Sequence, residues 1–254
     1  MFDAHVHVGY YTRFGCETPF YYSPRRVVGT LTRCGVNEFI VSSTCAQVAE
    51  IPLADILREA REMKRVAGAR AHQFFWLAGR FYDADRDLKV FDTGLYEGIK
   101  LHELETPWNG RRKRDLERIL AIAAERGLAV QMHSGGKNCM PLELAKWAEK
   151  FPTVRFDFAH CCPIDDMAKV VAEHPNVWTD CGLWQNNDWR RLGDYDWHGR
   201  LMFGSDFPAY HARFAGGFTD IYRELLNRFD SLFMRGNRRD EISEVRNICR
   251  FSRL

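Results

Sequence analysis

Two histidines two residues apart, His5 and His7, stand near the start of the chain in FDAHVHVG. On a strand, the period of two turns both imidazoles to one face, about 6.6 Å apart along the backbone. That spacing lets two ring nitrogens reach one cation. Further on, His133 closes LAVQMH, His160 closes VRFDFAH and Asp206 closes RLMFGSD, while Lys100 and His102 share a face near the end of EGIKLH. A single buried histidine beside a strand is ordinarily a core residue. Five of the nine histidines gather at or near the ends of such runs, joined by an aspartate after Gly204-Ser205, and packing alone does not account for that. Imidazole nitrogen with carboxylate oxygen suits Zn²⁺, Mn²⁺ or Fe²⁺, and the lack of thiolate at these points argues against a closed structural zinc site. A divalent cation held there would bring the pKa of its water toward about 7 and polarise a carbonyl. Asp206 is then the expected general base and proton shuttle, and His160 orients the nucleophile or stabilises an oxyanion. The same site permits non-oxidative decarboxylation, because a metal and a nearby acid stabilise a carbanion-like state.

The elements that must position these groups recur as short apolar or β-branched runs followed by stretches with apolar residues at i, i+3 and i+4. Eight strands are expected at 2–8, 36–43, 73–79, 97–102, 128–133, 154–160, 176–182 and 200–206, each followed by a helix with the exception of the third. Ser23-Pro24 caps and starts the first helix and Gly35 stops it. The helix at 111–126 carries an apolar stripe of Leu116, Ile119, Leu120 and Ala123 and ends at Gly127. Pro141 and Pro163 open two more, and 216–235 forms the eighth, with a further helix at 237–250. Eight units of about 32 residues predict a (β/α)8 TIM barrel, distorted and forming a single domain over 1–254. A doubly wound open sheet is the rival, but neither GxGxxG nor GxxxxGK[ST] is present. In a barrel, reactive groups sit at the C-terminal strand ends, where these residues fall.

Composition narrows the function classes. With 46% hydrophobic residues the chain fills a sizeable core, and a formal charge of +2 provides no field for a dedicated nucleic-acid or anionic-membrane partner. The opening residues lack a signal-peptide pattern and no apolar run approaches a spanning helix, so a cytoplasmic chain is expected. Its eight cysteines form no CxxC pair and Cys161 and Cys162 are adjacent, which predicts reduced thiols. The arginines from 235 onward alternate with acids and read as a solvated face or a contact in a homo-oligomer.

FDAHVHVG, GIKLH, VQMHSGG, FAHCCP and LMFGSDFP, in that order along the chain, resemble the amidohydrolase superfamily and most closely its amidohydrolase-related branch. VRNICRF near the C-terminus resembles the closing helix of that family. The resemblance implies a distorted barrel holding one or two divalent ions that activate a water. His5, His7, His133 and Asp206 match the ligands of the principal metal. In two-metal relatives a carboxylated lysine bridges the ions, and Lys100, His133 and His160 match the second site. In the other reading Lys100 remains an ammonium that contacts an anionic substrate. Glu103 stands where the family often has proline, which leaves the role of His102 open. The activity implied is hydrolysis of a small amide, lactone or ester, with decarboxylation of an aromatic or unsaturated acid as the alternative. A barrel kept only for binding is a third reading, against which the intact ligand set argues.

Arg13, in the aromatic stretch GYYTRFGCETPFYY, and Trp184, after the seventh strand with Gln185 and Asn186, are candidate substrate contacts, as against ordinary loop packing. Ser134-Gly135-Gly136-Lys137 offers amides to an anion or makes a plain glycine turn. Cys161 and Cys162 are expected to pack beneath the site rather than act as nucleophiles. His72, His174, His198 and His211 fit no motif and are expected at the surface or at helix ends, with His211 placed to reach the cavity.

Overall fold

The alternation of apolar runs and amphipathic stretches becomes parallel strands with helices between them in a computed structural model. It describes residues 1–11, 20–48, 50–77, 88–102, 111–136, 139–182, 189–209 and 218–234. The strands are β1 (Phe2–Tyr11), β2 (Phe20–Tyr22), β3 (Glu38–Ser43), β4 (Ala71–Trp76), β5 (Gly98–Leu101), β6 (Ala129–His133), β7 (Phe156–Ala159), β8 (Val177–Asp180) and β9 (Leu201–Met202). They line up as β2-β1-β3-β4-β5-β6-β7-β8-β9, parallel throughout apart from β2, which runs antiparallel to β1. The ring closes where Ala4 N donates to Phe203 O at 2.8 Å and His7 N donates to Phe207 O at 2.6 Å. Eight parallel strands therefore form a distorted TIM barrel, as the sequence predicts. β2 is the departure: the expected loop after β1 folds back as a short hairpin partner, with Phe20 stacked on Tyr11 at 5.4 Å.

Six α-helices lie between or after the strands among the described residues: α1 (Pro24–Arg33), α2 (Leu53–Ala67), α3 (Arg111–Arg126), α4 (Pro141–Lys150), α5 (Ile164–Glu173) and α6 (Phe218–Met234). Ser23 Oγ accepts from Arg26 N at 3.3 Å and Pro24 occupies the first helical position, the expected start. Leu116, Ile119, Leu120 and Ala123 are all buried, as their spacing predicts. After β8 the described residues form a 3₁₀ helix, Trp189–Asp194, where an α-helix was expected. Among the described side chains of this segment Leu192 and, further on, Trp197 are the buried apolar ones, a narrower apolar face than the other helices bury. A 3₁₀ helix, Leu88–Thr93, also precedes β5. The proposed helix at 237–250 and VRNICRF lie outside the described residues.

Period-two alternation builds the barrel interior in layers. Ala4, Ile40, Phe74, Ala129 and Met202 form an apolar floor. Two residues further along their strands come Trp76 and Gln131, and then His133. Gly98, Lys100 and His102 climb β5 in the same way. Gly98 is glycine because a Cβ there would meet Phe74 Cε1 at 2.6 Å and Ala129 O at 2.8 Å. Outward-facing residues such as Phe156 and Phe158 bury against the helical layer.

His72 corrects the expectation of a surface or helix-end residue. It is buried on β4, with Nδ1 2.7 Å from Glu97 Oε2 and Nε2 2.9 Å from Glu38 Oε1. All six residues of β4 are buried, so no alternation of polarity marks the position. The imidazole joins the beginnings of β3 and β4 to the residue before β5. His72→Ala is expected to cost about 2 kcal/mol, the scale of hydrogen bonds to charged partners. Urea unfolding checks this, and an unchanged midpoint would show that the clamp contributes nothing. His174 caps the end of α5 and His198 is exposed, as expected. The six described cysteines are free thiols, and no described helix is long and apolar enough to cross a membrane.

Candidate active site

The first strand is held in place by Asp3. Its Oδ1 accepts from His5 N and Ser205 N, each at 3.0 Å, and its Oδ2 accepts from Tyr222 Oη at 2.6 Å. This carboxylate joins β1, the segment after β9 and α6, and burial pushes it up to about 6. The register between β1 and β3 shifts between Asp3 and Val6, and both His5 and His7 reach the interior.

At the rim, His5 Nε2 and His7 Nε2 lie 3.1 Å apart, and Asp206 Oδ1 stands 3.0 Å from His7 Nε2 and 3.5 Å from His5 Nε2. Lys100 Nζ approaches His5 Nε2 at 3.1 Å. On the other side of the same ring, His5 Nδ1 meets Asp180 Oδ2 at 3.0 Å. The His7 ring is fixed by Ser42 Oγ, 2.9 Å from Nδ1, and by Trp76, whose ring centre is 5.1 Å away. His102 and His133 stack at 4.0 Å, and His133 meets the edge of His160 at 4.6 Å. His160, Cys161 and Asp206 carry positive φ, a costly backbone geometry for residues with side chains, and all three follow strand ends at this rim.

Electrostatics set the protonation states. Burial, followed by the positive field of Lys100 and neighbouring imidazoles, lowers His5 well below the ordinary histidine range. His102 and His160 are lowered mainly by burial, and His133 falls to about 3 for the same leading reason. These imidazoles are neutral at pH 7, the form that ligates cations. Burial also lowers Lys100, against the pull of Asp180, Asp206 and Asp157. Asp206 is raised by burial, against its contact with His7.

The donor set fits a divalent cation. One ligand atom each from His5, His7 and Asp206 lies within 4.8 Å of the others, and His5, His160 and Asp180 form a second such group. The Nδ1 atoms of His102, His133 and His160 are buried without a hydrogen-bond partner among the described residues.

Three of the four expected principal ligands thus come together. His133 stands beside this group, next to His102 and His160, rather than among its converging atoms. Lys100 lies inside the cluster, 1% exposed, and His102 lies over it in the His133 stack. Arg13, Trp184, His211, Gln185, Asn186 and Lys137 fall outside the described residues. Gly135 N donates to Cys139 O, so that amide serves the turn and not an anion. Burial raises the Cys161 thiol, in keeping with a packing role. Asp180 was missed by the sequence reading, as were Ser42, Trp76, and the pair Gln131 and Asp157 beneath the site, whose Nε2 and Oδ2 atoms are 2.7 Å apart. A signal for Asp180 existed: NVWTDCG places it at a strand end, the position that marked the other candidates.

A closed parallel barrel with neutral histidines and buried carboxylates at the C-terminal strand ends defines a barrel enzyme with a polar rim site. The sequence matches the amidohydrolase family model over residues 44–215, about two thirds of the chain, and the protein belongs to that family. It is an enzyme of the amidohydrolase superfamily. The matched span includes Lys100, His102, His133, His160 and Asp206 and begins after His5 and His7. None of the curated proteins matches the sequence significantly. Among solved structures, a probable 2-pyrone-4,6-dicarboxylic acid hydrolase from Acinetobacter baumannii is 10% identical with a TM-score of 0.67, over 96% of this chain and 98% of that one. An amidohydrolase from Burkholderia multivorans with bound Zn is 14% identical with a TM-score of 0.65, covering 98% of each chain. Dihydroorotase from Saccharomyces cerevisiae is 14% identical with a TM-score of 0.59, over 94% of this chain and 79% of that one. At these identities the likeness is one of fold.

Proposed function

We propose that this enzyme is a metal-dependent hydrolase of a small amide, lactone or ester, with one divalent cation held by His5, His7 and Asp206 and joined by His133. Zn²⁺ is the leading choice, with Mn²⁺ and Fe²⁺ served by the same donors. The observation that carries the reading is the convergence of the His5, His7 and Asp206 ligand atoms within 4.8 Å at a buried rim. When bound, such a cation supplies Lewis acidity and makes water acidic enough to yield a nucleophile at neutral pH. The chain supplies the rest. Asp206 takes the proton of the attacking water and passes it to the leaving group. His160 stands across the His5 ring, at 4.8 Å between ring centres, to orient the nucleophile or stabilise the developing oxyanion. Lys100 keeps its ammonium and, with His102, receives an anionic group of the substrate, to which Arg13 and Trp184 contribute. The names of two solved relatives, a dicarboxylic acid hydrolase and a dihydroorotase, support hydrolysis over decarboxylation. The reading carries a small-molecule substrate, a cytoplasmic setting and a single domain, with no nucleic-acid or membrane partner.

A panel of lactones, cyclic amides and esters bearing carboxylates tests this by mass spectrometry of the products. The expected product is heavier than its substrate by one water, and a chelator abolishes its formation until Zn²⁺ is returned. Release of CO₂ without addition of water, from a panel of aromatic acids, would replace hydrolysis with decarboxylation.

A further inference from the structure

We infer that Asp180 is the positioning residue that sets the tautomer of His5 and so presents its Nε2 lone pair to the cation; the inference deepens the metal reading above and rests on it. Asp180 is fully buried at the end of β8. Its Oδ1 accepts from Gly182 N at 2.8 Å and His160 N at 3.2 Å, which leaves Oδ2 facing His5 Nδ1 at 3.0 Å. A carboxylate oxygen accepts, so the hydrogen bond across this 3.0 Å contact places the proton on Nδ1. The nearest cation at the opposite nitrogen agrees with it. Lys100 Nζ lies 3.1 Å from His5 Nε2, closer than the Asp206 oxygen at 3.5 Å, and an amine that donates across the shorter contact is met by an Nε2 lone pair. The Asp180 contact therefore places the proton on Nδ1 and leaves the Nε2 lone pair on the side of His7 and Asp206, where a cation shared with them would sit.

The pocket around the carboxylate is shaped for it. A Cβ on Gly182 would come within 2.7 Å of Asp180 Oδ1 and 3.2 Å of His5 Nδ1, and one on Gly204 within 2.8 Å of the same oxygen. Two glycines and two backbone amides thus hold one carboxylate in one orientation. The grouping of His5, His160 and Asp180 need not enclose a cation of its own, because a neutral His5 cannot give a lone pair from Nδ1 while Nε2 gives one to the rim. Second-sphere carboxylates of this kind typically change metal affinity by about 10–100-fold.

Asp180→Asn discriminates the role sharply. The two backbone N–H groups demand an oxygen at the Oδ1 position, so the new amide NH₂ takes the Oδ2 position and points a donor at His5 Nδ1. The ring must then place its proton on Nε2, where the cation binds. We expect Asp180→Asn, despite its matched shape, to weaken Zn²⁺ binding at least as much as Asp180→Ala, and by about 10–100-fold or more in chelator competition. A merely structural residue would give the reverse order, with the isosteric variant near wild type, and that result would overturn the inference. Should neither variant fold, ¹⁵N-histidine spectra of metal-free wild-type protein decide the matter, with His5 assigned by loss of its signals in His5→Gln. Nδ1–H is expected and Nε2–H would contradict it. Wild-type protein that binds no Zn²⁺ would defeat the metal reading, and the tautomer measurement would still separate that failure from this one.

Discussion

Asp206→Asn is expected to lower kcat/KM on the hydrolysed substrate by about 10³-fold or more, since loss of a general base alone typically costs about 10²–10⁴. Asp206 is the carboxylate of the His5–His7 cluster, with Oδ1 3.0 Å from His7 Nε2, and it is held at φ 52° four residues after β9. The amide keeps the shape and removes both the negative charge and the proton acceptor. Metal content measured alongside the rates divides the two roles. Retained metal with lost turnover isolates proton transfer, and loss of both shows the ligand role. A variant within tenfold of wild type would remove Asp206 from the chemistry.

Phe158→Ala is expected to cost about 3–5 kcal/mol, a large part of the stability of an ordinary domain. The ring is fully buried beneath the helical layer, 5.7 Å from the ring of Phe156, and its neighbours in the sheet are Met132 on β6 and Thr179 on β8. Close-packed strands on either side cannot move in to fill the space, so the cavity persists. Chemical denaturation measures the loss. A cost under about 1 kcal/mol would mean that this layer repacks freely, against the burial seen here.

Much of the barrel was legible because each strand is a short apolar run between turn residues, and because caps such as Ser23-Pro24 mark helix starts locally. His5, His7, His133, His160 and Asp206 stood out because strand ends in a barrel converge. What escaped depended on contacts between distant segments. Asp180 has its meaning through His5, 175 residues earlier, and through two backbone amides that the sequence does not display. His72 was misplaced because its partners, Glu38 at the start of β3 and Glu97 just before β5, come from segments distant in sequence. β2 formed where an aromatic loop was expected, because pairing with β1 satisfies backbone groups beside the stacked rings of Tyr11 and Phe20. Lys100 stood out from its place near a strand end, but its approach to His5 Nε2 depends on two strands distant in sequence.

On the proposed reading the His5, His7 and Asp206 cluster holds a divalent cation. Plasma mass spectrometry of protein purified without a histidine tag, after Zn²⁺ loading and removal of free metal, tests it most directly when His7→Ala is measured in parallel. At least one ion per wild-type chain is expected, with its loss in the variant. Wild-type protein that retains no ion, or a His7→Ala variant that keeps the full complement, would contradict it.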